Sequence, residues 1–212
     1  EGLTISGKSM REHLEAVNHN EAIEYIKDLM KRAISMNERE LLVVHNLILR
    51  GIMPEHAGKY RNVQVMIKGS SHMPPQPYLV SKQMEDLFAW YAQVKNQLHP
   101  VVLAAEMHER LVTIHPFIDG NGRVTRIAKN WMLMYELYPP IFISDVPQKK
   151  EYISTLGNSF RELDKHKGQW NEFTSQFFEQ ELDRLLTNAS LLYESINLIG
   201  KKREESNKGN GR

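Results

Sequence analysis

The chain has 212 residues, 27 of them Lys or Arg against 26 Asp or Glu, a net charge of +1 and no cysteine. Balanced charge implies no general affinity for nucleic acid or anionic membranes, and the absent thiols exclude disulfides and thiolate metal sites. No apolar run approaches the ~18 residues of a membrane span, and the cysteine-free composition fits a reducing, cytoplasmic setting.

In chain order, residues 1–6 lead in, and Ser6 or Ser9 is placed to cap a first helix reaching about Val17. A second helix over roughly 21–35 lines up Ala22, Ile23, Ile26, Leu29, Met30 and Ala33, the spacing of a buried stripe. A third, about 38–49, is closed by Gly51 and Pro54. Residues 52–78 are the least helical. Within them Val63-Gln64-Val65-Met66-Ile67 is rich in strand formers, Gly69-Ser70-Ser71 makes a turn, and Pro74, Pro75 and Pro77 demand extended chain. A small β-hairpin over 63–73 is the expectation. A helix follows at about 80–96, then a helix–loop–helix pair over 98–138 stopped by Pro139-Pro140. Another helix spans about 149–163, a long one runs from 170 towards 199, and the polar tail 201–212 is expected to fray. The fold class read from this pattern is all-α, a bundle of about eight helices with one small β-hairpin. It divides into an N-terminal helical segment (1–40), a core domain (41–185) and a C-terminal remainder (186–212).

Chemistry concentrates between the paired helices, in Ile114-His115-Pro116-Phe117-Ile118-Asp119-Gly120-Asn121-Gly122-Arg123, with Arg126 beyond. Val101, Ala104, Ala105, Leu111 and Val112 mark a buried face before the loop; Val124, Ile127, Ala128, Trp131 and Tyr135 mark one after it. Gly120 and Gly122 let successive backbone N–H groups turn towards one anion, and the helix start adds its positive end. Arg123 and Arg126 stand one turn apart, able to fork around phosphate oxygens. Asp119 is a hard oxygen ligand suited to Mg²⁺, and His115 is the nearby group able to take a proton near neutrality.

His115 to Arg123, with Arg126, resembles the signature of the Fic family, HPFx(D/E)GNGRxxR, with every specified letter present in order. The resemblance implies transfer of AMP from ATP onto a Ser, Thr or Tyr hydroxyl of a partner protein. His115 would be the base, Asp119 the Mg²⁺ ligand, and Gly120, Asn121, Gly122, Arg123 and Arg126 the phosphate holders. The 63–73 hairpin, preceded by Ala57-Gly58-x-Tyr60-Arg61, would be the family's flap, with Val65, Met66 and Ile67 facing the target. Tyr152 and Asn158 would border the adenosine. Many relatives silence themselves with a segment ending in (S/T)xxxE(G/N); Glu1-Gly2 resembles that ending and makes Glu1 the inhibitory residue, with Glu194, in Ser190-x-x-x-Glu194, as the rival. A related transfer or removal of AMP or another phosphate-containing group is the alternative within the enzymes. A non-catalytic nucleotide-binding protein is the alternative outside them, and a homodimer is one assembly the resemblance allows.

The other constellations are weak. His108 and His115 lie seven apart without a third metal ligand at recognisable spacing, and His108 is expected in the core. His13, His19, His45, His56, His72, His99 and His166 show no legible pairing and are expected to be surface or structural. A second GNGR at 209–212 has no histidine before it.

Overall fold

A computed structural model describes residues 8–143 and 146–165, with helical positions 182–184, 186, 187 and 190 beyond them. Its six helices are α1 (Met10–Lys31), α2 (Glu38–Leu49), α3 (Pro77–Val94), α4 (Pro100–Ile114), α5 (Asn121–Tyr135) and α6 (Val146–Lys165). The remainder of the long helix expected over 170–199, and the polar tail, lie outside the described residues, as does Ser6.

Ser9 begins α1 through a reciprocal capping box with Glu12, which satisfies two of the otherwise orphan N–H groups of the first turn. The break expected between Val17 and Glu21 is absent, and the two anticipated helices are one. No glycine or proline interrupts the run, and its polar Asn18 has an inward task. The buried Asn18 amide donates to Ile48 O at 3.1 Å and to Arg50 O at 2.8 Å, satisfying carbonyls at the end of α2. The Asn18 side chain thus ties α1 to the end of α2.

Asn37 caps α2 on the Glu40 N–H, while α3 and α4 each start on a proline whose missing N–H costs nothing in a first turn. Ala22, Ile26 and Leu29 of α1, Leu41, Val44 and Ile48 of α2, and Leu103, Met107 and Leu111 of α4 share one core with Val124, Ile127 and Trp131 of α5. Each such large side chain contributes about 1.5–3 kcal/mol by burial, so the α4–α5 pair holding the loop is rigidly seated. After α5, Asn130 clasps the returning chain, donating to Ile141 O at 3.1 Å and accepting from Ile141 N at 2.9 Å. Tyr152, Leu156 and Phe160 of α6 pack on Ala105 and Val112 of α4 as a second, smaller core.

The expected β-hairpin is not formed: among the described residues 62–76 there is no strand. A turn does exist, closed by Ser70 N to Ile67 O at 3.1 Å with Gly69 at φ 81°. The returning limb, however, carries Pro74 and Pro75, which have no N–H to give a ladder. Gln64 compensates with its side chain, donating to Pro74 O at 2.8 Å. Only the alternation survives, with Val65 and Ile67 half-buried and Met66 79% exposed. None of the described helices is long and apolar enough to cross a membrane.

Candidate nucleotide-binding and transfer site

His115 ends α4 in the left-handed conformation, φ 50° and ψ 59°, with its N–H on Leu111 O at 3.0 Å. A non-glycine residue there is strained, and strain held in place by its surroundings is common at reactive loops. Its Nδ1 lies 3.2 Å from Val112 O. A carbonyl only accepts, so the proton sits on Nδ1 and Nε2 keeps its lone pair. Burial pushes the imidazole pKa down to about 4, opposed by the Val112 bond and reinforced by the charge of Arg61. At neutral pH His115 is therefore an uncharged imidazole of defined tautomer.

The loop after it is held from inside. The Asn121 amide accepts from Phe117 N at 2.9 Å and donates to Phe117 O at 2.8 Å. Both ends of that side chain are taken up in shaping the loop, which leaves its backbone N–H as what Asn121 offers a phosphate. Gly120 N–H is also engaged, 2.6 Å from Asp119 Oδ1. The first bond of α5 runs from Val124 N to Gly120 O, leaving the N–H groups of Asn121, Gly122 and Arg123 ahead of it without intrahelical acceptors. These three, at the positive end of a 15-residue helix, are placed to meet an anion. Gly120 needs its glycine for φ 83°. At Gly122 a Cβ would stand 3.2 Å from Arg126 Nη1, so a side chain there would press on that guanidinium.

Four charges, from α1, the loop and α5, close into a ring at the mouth of this site. Arg11 Nη2 meets Asp119 Oδ2 at 2.7 Å, and Arg11 Nε meets Glu15 at 3.2 Å. Arg123 completes it, 3.5 Å from Glu15 and 3.4 Å from Asp119 Oδ2. Beside the ring a cleft of about 530 Å³ is lined by His19, Arg123, Arg126, Ile127 and Phe142. Burial, with Arg126 and Arg123 adding to it, holds the His19 pKa below its ordinary value. A 35% exposed carboxylate with a guanidinium nitrogen at 2.7 Å fits a cation-binding role. Among the described residues no three His, Cys, Asp or Glu converge, so Mg²⁺ here would rest on Asp119 and substrate oxygens.

Other anticipated residues fall elsewhere. Tyr152 is 5% exposed in the second core, its hydroxyl 2.8 Å from His108 Nε2. A residue one turn from Leu156 on the inward face of α6 has nowhere else to go. Asn158 accepts from Arg161 on its own helix. Val65 and Ile67 turn inward, Ile67 onto the second core, leaving Met66 as the outward residue of the three. Glu1 and Glu194 lie outside the described residues.

Two residues at the site were passed over in sequence. Arg61, 3% exposed, donates from Nε to His115 O at 2.8 Å and from its Nη atoms to Val63 O at 3.1 Å and Pro75 O at 2.6 Å. One guanidinium thus ties both limbs of the 62–76 segment to the backbone of His115. His45, expected on the surface or in a merely structural place, is fully buried beneath the loop. Its legible signal was position, since it shares the α2 stripe of Leu41, Val44 and Ile48.

A histidine of set tautomer, a helix start with open N–H groups and two arginines on a cleft thus come together between paired helices, an arrangement suited to phosphate. Residues 35–133 match the Fic/DOC family. The protein adenylyltransferase Fic of Nematostella vectensis is 37% identical over 143 residues, 66% of this chain and 33% of that one. Fic-1 of C. elegans superposes with a TM-score of 0.72 at 26% identity, covering 92% of this chain and 56% of that one. A Fic domain containing signaling protein from Bacteroides thetaiotaomicron gives 0.73 at 27%, over 87% and 74%. The chain belongs to the Fic/DOC family. It spans about a third of the length of the curated relatives it matches.

Proposed function

We propose that this chain is a protein adenylyltransferase that moves AMP from ATP, with Mg²⁺, onto a Ser, Thr or Tyr hydroxyl of a partner protein. The observation that carries the reading is the state of His115. Its Nδ1 hydrogen is tied to Val112 O, so Nε2 is an available base shortly before a phosphate-binding helix start. His115 Nε2 takes the hydroxyl proton as the oxygen bonds to the α-phosphorus. The bond from that phosphorus to its bridging oxygen breaks, and pyrophosphate leaves with the electron pair. Arg123, Arg126 and the N–H groups of Asn121, Gly122 and Arg123 meet the charge that develops. When bound, Mg²⁺ on Asp119 neutralises phosphate charge and orients the leaving group. The protonated imidazole then sheds its proton readily, because burial disfavours its charged form.

The flap supports a partner-facing role. Val63 and Met66 are exposed large apolar residues, and the segment has no strand partner among the described residues, so a target chain can pair along it. Supplying the protein and a lysate with ATP labelled on the α-phosphate, followed by mass spectrometry, tests the reading. His115→Ala is expected to cut labelling by about 10²–10⁴-fold, the usual worth of a positioned base, with ATP binding retained. A wild-type protein that binds ATP but labels nothing would instead support a non-catalytic nucleotide binder.

A further inference from the structure

We infer that His45 is a positioning residue for the carboxylate of Asp119, acting through the Asp119–Gly120 peptide. The inference rests on the transferase reading above and deepens it. His45 is fully buried among the apolar residues of α2, where a polar ring must find partners. It has two, and they fix its chemistry. Gly58 N–H lies 3.0 Å from Nδ1. A backbone N–H can only donate, so Nδ1 is the acceptor and the proton sits on Nε2. Nε2, 3.1 Å from Asp119 O, is then the donor to that carbonyl. Burial keeps the ring neutral, as two single-role bonds require. The ring also stacks on Phe117, centroids 3.7 Å apart and planes 14° from parallel.

The bond to Asp119 O matters because it sets the plane of the peptide unit joining Asp119 to Gly120. A peptide unit is planar and trans, so a carbonyl held towards α2 sends the next N–H the opposite way. That N–H belongs to Gly120 and donates to Asp119 Oδ1 at 2.6 Å. With Oδ1 tethered, Oδ2 is the oxygen that meets Arg11 and Arg123. The chain of constraint runs from imidazole to peptide plane, to N–H, to carboxylate orientation. An external hold is needed at this peptide more than elsewhere in the loop. Gly120 tolerates both signs of φ, so the 119–120 unit is the easiest to flip. The ring also closes the space on that side, since a Cβ on Gly120 would stand 3.5 Å from His45 Cδ2.

Two substitutions separate the bonds. His45→Gln places an amide nitrogen near the position of Nε2 and keeps the donor to Asp119, losing the acceptor for Gly58. His45→Asn places an oxygen near Nδ1 and keeps Gly58, losing Asp119. Both lose the stacked ring. The probe is Mn²⁺ with a non-hydrolysable ATP analogue, its binding read by electron paramagnetic resonance beside the Mg²⁺ dependence of AMP transfer. His45→Asn is expected to weaken metal binding by roughly 3- to 10-fold, the worth of one hydrogen bond, while His45→Gln stays within about twofold of wild type. Equal metal affinity in the two variants overturns the inference, whatever their loss of melting temperature. If wild type transfers no AMP but the variants still separate in Mn²⁺ binding, the transferase reading falls and the positioning role stands. Should either variant fail to fold, nitrogen-15 imidazole spectra of the wild type decide: an Nε2-protonated His45 whose signal moves when Mn²⁺ is replaced by Mg²⁺ supports the role, and an Nδ1-protonated ring overturns it.

Discussion

The 115–122 loop has its backbone held by buried side chains: Asn121 on both polar groups of Phe117, His45 on Asp119 O, Arg61 on His115 O. The flap, 62–75, is anchored near its ends, by Arg61 on Val63 and Pro75 and by His72 Nε2 on Thr113 O at 3.1 Å. Its outward face leaves Met66 and Met73 bare. On the transferase reading proposed above, the loop would have to present a base and a carboxylate with sub-ångström accuracy, because misplacement by about 1 Å can cost on the order of a hundredfold in rate. On that same reading the flap would have only to meet another protein, where exposed methionines adapt to what arrives. One guanidinium joins the two regimes.

The strongest way to break the contrast is at that joint. Arg61→Ala removes a buried charged donor set and leaves carbonyls of both regions without partners. A loss of about 3–5 kcal/mol in unfolding free energy is expected from urea titration. Arg61→Lys should recover only part of it, since an ammonium lacks the planar fork. An Arg61→Ala protein of wild-type stability would show that flap and loop are independent.

Acid acts on the loop side. Burial holds His45 and His115 at about 4, below the ~6.5 of an unfolded histidine. As pH falls through 6.5 the unfolded chain binds protons that the folded one refuses, so stability is lost between about pH 6.5 and 4 and is complete above that window. Melting temperature is expected to drop by roughly 5–15 °C from pH 7 to pH 5, measured by calorimetry. His45→Gln should flatten that slope. A profile unchanged by the substitution would mean that His45 is charged in the folded protein.

The smallest effect sharpens the flap side. Met66, 79% exposed, is not needed by the fold, so Met66→Ser should move the unfolding free energy by no more than about 0.5 kcal/mol and leave ATP binding unchanged. Its effect is expected in the KM for the target protein, at a few-fold. A lowered affinity for ATP would place the flap over the nucleotide instead.

Much of this was legible in the linear chain because it depends on local rules. The α2 boundaries, the stripes of α4 and α5 and the motif between them follow from helical periodicity, capping residues and glycine. The errors share one origin, the meaning of a polar or proline residue whose partner is distant in sequence. The break expected after Val17 is missing, and Asn18 there finds its partners, Ile48 and Arg50, some thirty residues away. The strand-like 63–67 run looked half of a ladder because prolines in the other limb only matter once the limbs face each other. Tyr152 looked available to a ligand until α6 packed it against His108.

The α-helical class and the chemical kit of the 115–126 stretch are written in the linear chain, since each rests on contacts within a few residues. Which groups that kit leaves free is decided by packing. The Asn121 side chain and the Gly120 N–H, both counted for phosphate, are taken up by the loop itself, while His45 and Arg61 hold it from other segments. A hydrogen-bond donor serves one acceptor well at a time, and which acceptor lies within about 3 Å is settled only when the helices pack.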